Sequence, residues 1–215
     1  MRKKMYQNVA ANYLRENSSM YLFVLVLFLM GVIFGAVIVN SLSFAQKEDL
    51  FYYLNQFFSQ MSDGKIAEAS DLFRQSFLHN IKFIGLMWLL GISIIGLPVI
   101  LILLFMKGMV VGFTVGFLVN QMGWDGFFLA FVSILPQNFI IIPVFIITTS
   151  VAVMFSLKMI QRQFLKKYGQ PFLPLFKNYI GALIMAAILI AAAAAVEAYL
   201  SPAFMKAVMT TIPNL

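Results

Sequence analysis

The chain has 215 residues, 62% of them hydrophobic and 11% charged, with a mean hydropathy of +0.92, a composition that excludes an ordinary soluble domain and marks an integral membrane protein. It has no cysteine and one histidine, His79, which excludes disulfides, thiolate nucleophiles, zinc-thiolate sites and iron-sulfur clusters; the histidine makes no metal site alone. The formal charge of +7 takes its meaning from where lysine and arginine fall relative to the membrane.

A bilayer core about 30 Å thick needs about 20 apolar residues in a helix, and five long uncharged runs occur. The first lies between Glu16 and Lys47, with its apolar centre at 21–39. Ser43-Phe44-Ala45 resembles a signal-peptide cleavage site, but the apolar centre exceeds the roughly 7–15 residues of a signal sequence, so a retained anchor is expected. The second run, 83–106, contains Pro98, which predicts a kink. The third, 108–124, is short and is expected to stand nearly upright or be locally shielded. No acidic or basic residue is expected deep in any span.

The fourth run, 126–157, contains Ile-Leu-Pro-Gln-Asn-Phe-Ile-Ile-Ile-Pro at 134–143. As one straight helix it would be about 48 Å long. A short first piece at 126–135, a break at Pro136, Gln137 and Asn138, and a full span at 139–157 containing Pro143 fit better. Irregular backbone at membrane depth is tolerated only when buried in protein or lining a wet cavity. The break is therefore either structural or part of a transport path. The fifth run, 178–196, ends at Glu197 and is stopped by Pro202.

With the N-terminus inside, ten basic residues fall on the cytoplasmic side: Arg2, Lys3, Lys4, Arg15, Lys107, Lys158, Arg162, Lys166, Lys167 and Lys177. Five fall outside: Lys47, Lys65, Arg74, Lys82 and Lys206. The positive-inside rule then predicts a cytoplasmic N-terminus and, with five spans, an outer C-terminus. The basic charge needs no nucleic-acid partner.

The outer interval 41–80 carries two amphipathic patterns. Leu50, Phe51, Leu54, Phe57 and Phe58 share one helical face, and Ile66, Phe73 and Phe77 share another, separated by Ser62-Asp63-Gly64. These faces suit either the membrane surface or an extracytoplasmic protein. The basic connector 158–177 predicts a short helix ending at Gly169 and a proline-punctuated loop that attracts anionic lipid heads or a cytoplasmic protein. A small helix is expected near Phe204, Val208 and Met209.

Gly31 and Gly35 form one G-x-x-x-G, and Gly108, Gly112 and Gly116 a tandem one. Such spacing lets helix backbones approach closely, within one subunit or across a homodimer. Ser133, Ser150 and His79 lack any catalytic spacing. No catalytic residue, cofactor or metal is expected. The whole chain reads as a single all-α, polytopic membrane domain of about five spans with interfacial helices.

The segment YLFVLVLFLMGVIFGAVIVNSLSFAQKEDLFYYLNQFF, the five-run layout and the ILPQNFIIIP region together resemble the stage II sporulation protein M family of endospore-forming bacteria, over essentially the whole length. The resemblance implies a non-enzymatic membrane scaffold that acts while the mother-cell membrane engulfs the forespore. It also implies two peptidoglycan-degrading partners, the D and P proteins of stage II sporulation. No catalytic residue is carried over, because in that complex the partners do the chemistry. Some wider relatives read L-P-H-G-x-x-E-L-P at the broken span; this chain keeps Leu135, Pro136 and Pro143 but has Gln137, Asn138 and Ile141 at the ionisable and glycine positions. The competing class is a channel or permease built around Pro136 to Pro143.

Overall fold

A computed structural model describes residues 17–62, 68–165, 172–202 and 204, with backbone alone at 57, 58, 61, 62, 163–165 and 172. Every regular element among them is helical: α1 (Ser18–Ser41), α2 (Phe44–Ser62), α3 (Ala69–Gly91), α4 (Gly96–Ser133), α5 (Leu135–Leu165) and α6 (Phe172–Ala195), which runs on into a π-helical turn, Val196–Leu200. Among the described residues, four stretches are long and apolar enough to cross a bilayer: α1, α4, Leu135–Arg162 and Leu173–Leu200. The all-α polytopic fold is thus as the composition requires. α3 adds a further limb. Its first half carries Asp71, Arg74, His79 and Lys82, its second half is apolar, and Ser76, Asn80, Ile84, Met87 and Gly91 form one buried stripe along it.

The second and third apolar runs divide differently from the expectation. The chain turns at 92–95 rather than bending at Pro98, and α4 then continues without interruption through Lys107. Pro98 sits in the first turn of α4, where a missing N–H would have had no intrahelical partner in any case, so it starts the helix instead of kinking one. Gly96 makes the tight reversal possible, because a Cβ there would penetrate the Leu90 carbonyl.

The expected break at Pro136 is also displaced. Gly123 adopts φ 58° and ψ −128° inside α4, a conformation open to glycine and costly for other residues. The short limb that follows folds back on the preceding one: a Cβ on Gly126 would strike the Leu118 carbonyl, and Leu129, Ala130 and Ile134 pack with Val115, Leu118 and Met122. A second, milder interruption lies at Ile134. Pro136 occupies the first turn of α5, Gln137 and Asn138 are helical, and Pro143 lies within the helix. The backbone N–H of Asn138 donates to Ile134 O at 3.3 Å.

These reversals set the helix directions. α1 lies parallel to the long limb of α4, since Phe28 meets Gly108, Val32 meets Gly112 and Ala36 meets Gly116, and Asn40 reaches Asn120 at 3.4 Å. α3 and α5 run the opposite way. We call the end holding the start of α1, the 92–95 turn and the close of α5 the lower end, and the end holding Gly123 and α2 the upper end. The core filling the bundle includes Ile84, Met87, Ile100, Leu104, Phe145, Ala152 and Ile190, each fully buried.

α2 opens on Ser43-Phe44-Ala45-Gln46, which forms a capping box. Ser43 N donates to Gln46 Oε1 at 2.9 Å and Gln46 N to Ser43 Oγ at 3.3 Å, two otherwise orphaned donors satisfied reciprocally. The Ser62-Asp63-Gly64 break, Ile66, Gly169 and the Val208-Met209 segment fall at least partly outside the described residues.

The glycine seam makes a direct prediction. Gly112→Leu places atoms where the Val32 carbonyl stands, whereas a methyl group added at Gly181 would meet nothing within 4 Å. Overpacking of a close seam costs about 1–3 kcal/mol or more. Heating in detergent should therefore disperse Gly112→Leu at a clearly lower temperature than the parent chain, with Gly181→Ala unchanged.

Candidate functional site

Lys107 stands about 17 Å along α4 from Gly96 at 1.5 Å per residue, close to mid-depth of a 30 Å hydrocarbon core. The pattern of apolar runs assigns it to a cytoplasmic connector and leaves every span free of deep charge; the structure corrects both. The physical reason is that its partners come from other helices. Its Nζ donates to Asn80 Oδ1 of α3 at 3.2 Å. It also lies 5.0 Å from the Phe145 ring centroid of α5 and 5.9 Å from that of Phe83 in α3. Those two rings are 5.5 Å apart.

The network continues upward. Asn80 Nδ2 donates to Ser76 O at 3.0 Å, and the Ser76 hydroxyl donates to Glu197 Oε2 in the π-helical turn. Insertion scales put a lysine at the centre of a span at roughly 2.5–3.5 kcal/mol. A charge-assisted hydrogen bond contributes about 1.5–3 kcal/mol and each cation-π contact about 0.5–2 kcal/mol. These contacts offset part of the cost of burying the Lys107 side chain.

A second polar lock closes the lower end. Tyr179 OH donates to Trp88 O at 2.7 Å and Trp88 Nε1 to Tyr179 O at 3.3 Å. The Tyr179 ring is stacked between Trp88 and Phe155, with centroids 5.2 and 4.1 Å away. Gly91 makes room for it, since a Cβ there would collide with the Tyr179 hydroxyl.

The expected break region carries less polarity than its sequence suggests. Asn138 Nδ2 is spent on Ile134 O at 2.8 Å, while Gln137 Oε1 is buried without a partner. Asn138 borders a cleft of about 360 Å³ between α4 and the start of α5, otherwise lined by apolar side chains such as Val111, Phe127, Phe131, Phe139 and Pro143. The ionisable groups of the bundle interior lie at Lys107 and Glu197 instead. Ser133 Oγ is bonded to Leu129 O at 2.6 Å, and His79 is exposed on α3, so neither meets a catalytic neighbour.

The amphipathic faces are only partly covered. Leu50, Phe51 and Leu54 are half-buried, and Leu54 packs on Leu118, Leu129 and Ala130. Phe73 and Phe77 are also half-buried and stack at 6.0 Å. The side chains of Phe57 and Phe58, and all of Ile66, lie outside the described residues. What α2 leaves open is Phe44, Tyr52 and Tyr53, at 82%, 66% and 66% exposure. Gly31 and Gly35 lie against Phe105 and Met109 of the same chain, and Gly108, Gly112 and Gly116 against Phe28, Val32 and Ala36.

A family model described as stage II sporulation protein M matches residues 24–202. The chain belongs to that family. No curated protein and no solved structure gave a significant match. Membership in the stage II sporulation protein M family makes the chain a sporulation-related membrane protein, and the matched residues take in the glycine seam, both polar locks and α2.

In this family member the Lys107 network is invisible to spacing rules, because its members sit at 76, 80, 107 and 197. One signal is available: Lys107 separates two apolar runs with no turn-forming residue immediately before it. A double-mutant cycle tests the coupling. Lys107→Met and Glu197→Gln should each lower the unfolding midpoint, and Glu197→Gln should cost about 1 kcal/mol less once Lys107 is gone, as expected for residues in one network.

Proposed function

We propose that the chain is a non-enzymatic membrane scaffold that anchors and localises the peptidoglycan-degrading D and P proteins of stage II sporulation during forespore engulfment. Family membership supports the sporulation setting. The observation that carries the scaffold reading is α2: a capped helix at the upper end that touches the bundle through Leu54 while Phe44, Tyr52 and Tyr53 stand open. Exposed aromatic residues on a rigid helix supply large contact area at low entropic cost, which is what a protein-binding surface requires.

Orientation follows from charge. Lys158, Arg162 and Lys177 flank the lower end of α5 and α6, and the sequence preceding α1 holds Arg2, Lys3, Lys4 and Arg15, so the positive-inside rule favours a cytoplasmic lower end. Taking Lys107 into the bundle leaves this asymmetry in place. The upper end, with α2 and the C-terminal turn, then faces the wall that the partners cut, in the engulfing mother-cell membrane. The absence of cysteine makes the topology simple to read: an impermeant maleimide should label a single cysteine at position 53 in intact protoplasts and leave one at position 161 unlabelled until the membrane is opened. The reverse pattern would invert the reading.

Docking is tested by Tyr52→Glu with Tyr53→Glu. The doubly substituted chain should still insert, since neither side chain enters the core, but should lose co-purification of both hydrolases from sporulating membranes. Recovery equal to the parent would remove α2 as the docking surface.

A further inference from the structure

The cleft of about 360 Å³ between α4 and the start of α5 is bordered by both interruptions of the helical path, Ile134 and Pro143. One wall repeats at 127, 131, 134, 138 and 142, which is the spacing of a single helical face. The other wall is Val111 and Val115 of α4. Helices that meet directly interdigitate their side chains. Here the turn at Ile134 and the Pro143 ring within α5, which clashes with the carbonyl four residues earlier, bend the chain. A gap remains between the two walls.

Depth decides what can enter it. Val111 and Val115 stand about 6 and 12 Å above Lys107 along α4, and Pro143 is two residues from Phe145, whose ring meets Lys107. The cleft therefore runs from near mid-depth toward the upper boundary of the hydrocarbon core, within one leaflet. Apart from Asn138, whose amide donates to Ile134 O, its lining is apolar. Such a space does not hold water, and left empty it forfeits dispersion along both walls. Shape then chooses among apolar occupants. A helix with its side chains is about 10–12 Å across, so 360 Å³ takes less than one turn of it, and a second copy of this chain cannot seat a helix there. A single flexible hydrocarbon chain fits, and the surrounding leaflet supplies one.

We propose that the cleft is a binding site for one acyl chain of an upper-leaflet phospholipid, held between Val111 and Val115 of α4 and the Phe131, Ile134 and Phe139 side of the bent chain. Its volume lies in the range of ligand sites, roughly 300–1,000 Å³. Phe139 is 76% exposed and forms the outer lip of the cleft instead of filling the bundle. The site is separate from partner docking and stands whether or not α2 binds the hydrolases.

The test reconstitutes the purified full chain in vesicles of phosphatidylethanolamine and phosphatidylglycerol. A rising fraction of the phosphatidylglycerol carries a photoactivatable diazirine in one acyl chain, and adducts are mapped by mass spectrometry. In the parent chain, adducts on 127–143 should saturate as that fraction rises, whereas those on the outer face of α1, at Leu22, Ile33 and Val37, should rise in proportion, as for bulk lipid. Val111→Phe with Val115→Phe puts two rings into the cleft and should abolish the saturable part. Phe139→Ala, at a position too exposed to carry the fold, should keep the parent's unfolding midpoint and move half-saturation to a severalfold higher lipid fraction, so it decides the matter even where the doubly filled chain does not fold. Adducts on 127–143 that rise in proportion, or saturation unchanged in Phe139→Ala, would overturn the site and leave the cleft to bulk lipid. Phe139→Cys brings the first cysteine into the chain; disulfide-linked dimers of it, found in place of saturable labelling, would overturn the proposal in favour of a second copy.

Discussion

Inside hydrocarbon, any group that water would otherwise satisfy must find its partner in the chain. Lys107 is where this constraint is felt most strongly. Its ammonium ties α4 to Asn80 and Phe83 of α3 and to Phe145 of α5, and Ser76 extends the tie to Glu197 beyond α6. α3, α4 and α5 are thereby held at one depth, and the π-helical turn about one helical turn above it. A slide of α3 by a single turn would carry Asn80 and Phe83 about 5.4 Å away together and leave the charge with the Phe145 ring alone. The Tyr179–Trp88 exchange fixes α3 to α6 at a second depth, so α3 is pinned at two levels and cannot tilt freely against its neighbours.

α1 is held by a different force. It carries no charge within its length, and apolar side chains gain little by leaving lipid for protein. Its attachment to α4 rests on backbone contact, with carbonyls of Phe28, Val32, Phe105 and Met109 seated where a side chain would otherwise be. Close contact of that kind multiplies dispersion over many atoms. The opposite side of α1, with Leu22, Phe23, Met30, Ile33 and Val37 exposed, is left to lipid. Directional bonds thus set register among α3 to α6, and shape alone adds α1.

Much of the fold is legible in the sequence because the hydrocarbon acts on every residue of a span: the apolar runs, the amphipathic α2 and the glycine spacing can all be read locally. The exceptions share one cause, which is that the deciding contact lies far away in the chain. A charge marks the end of a span only when it has no partner at depth, and Lys107 has partners on distant helices. Prolines at 98 and 136 look locally like breaks, although each stands in the first turn of a helix and costs nothing there. The sharp reversal falls to Gly123, whose positive φ depends on the limb at 126–133 returning against Leu118. Ser43 and Gln46 show the reverse case: their capping box spans only four residues and is fully local, yet the same residues overlap the pattern of a processing signal.

The departures from regular helix are not scattered. Gly123, Ile134 and the π-helical turn all lie toward the upper end, while the lower end is closed by aromatic stacking on straight helices. The π turn has a specific consequence. One more residue per turn changes the direction of every later side chain by about 100° relative to a continued α-helix. Glu197, the second residue of the turn, reaches Ser76 from within it, and the residues redirected are those from Ser201 onward. The irregular turn therefore belongs to the polar network as much as any side chain does. Regular helices would have been simpler to hold in lipid, and at the π turn the chain departs from them where a carboxylate meets Ser76.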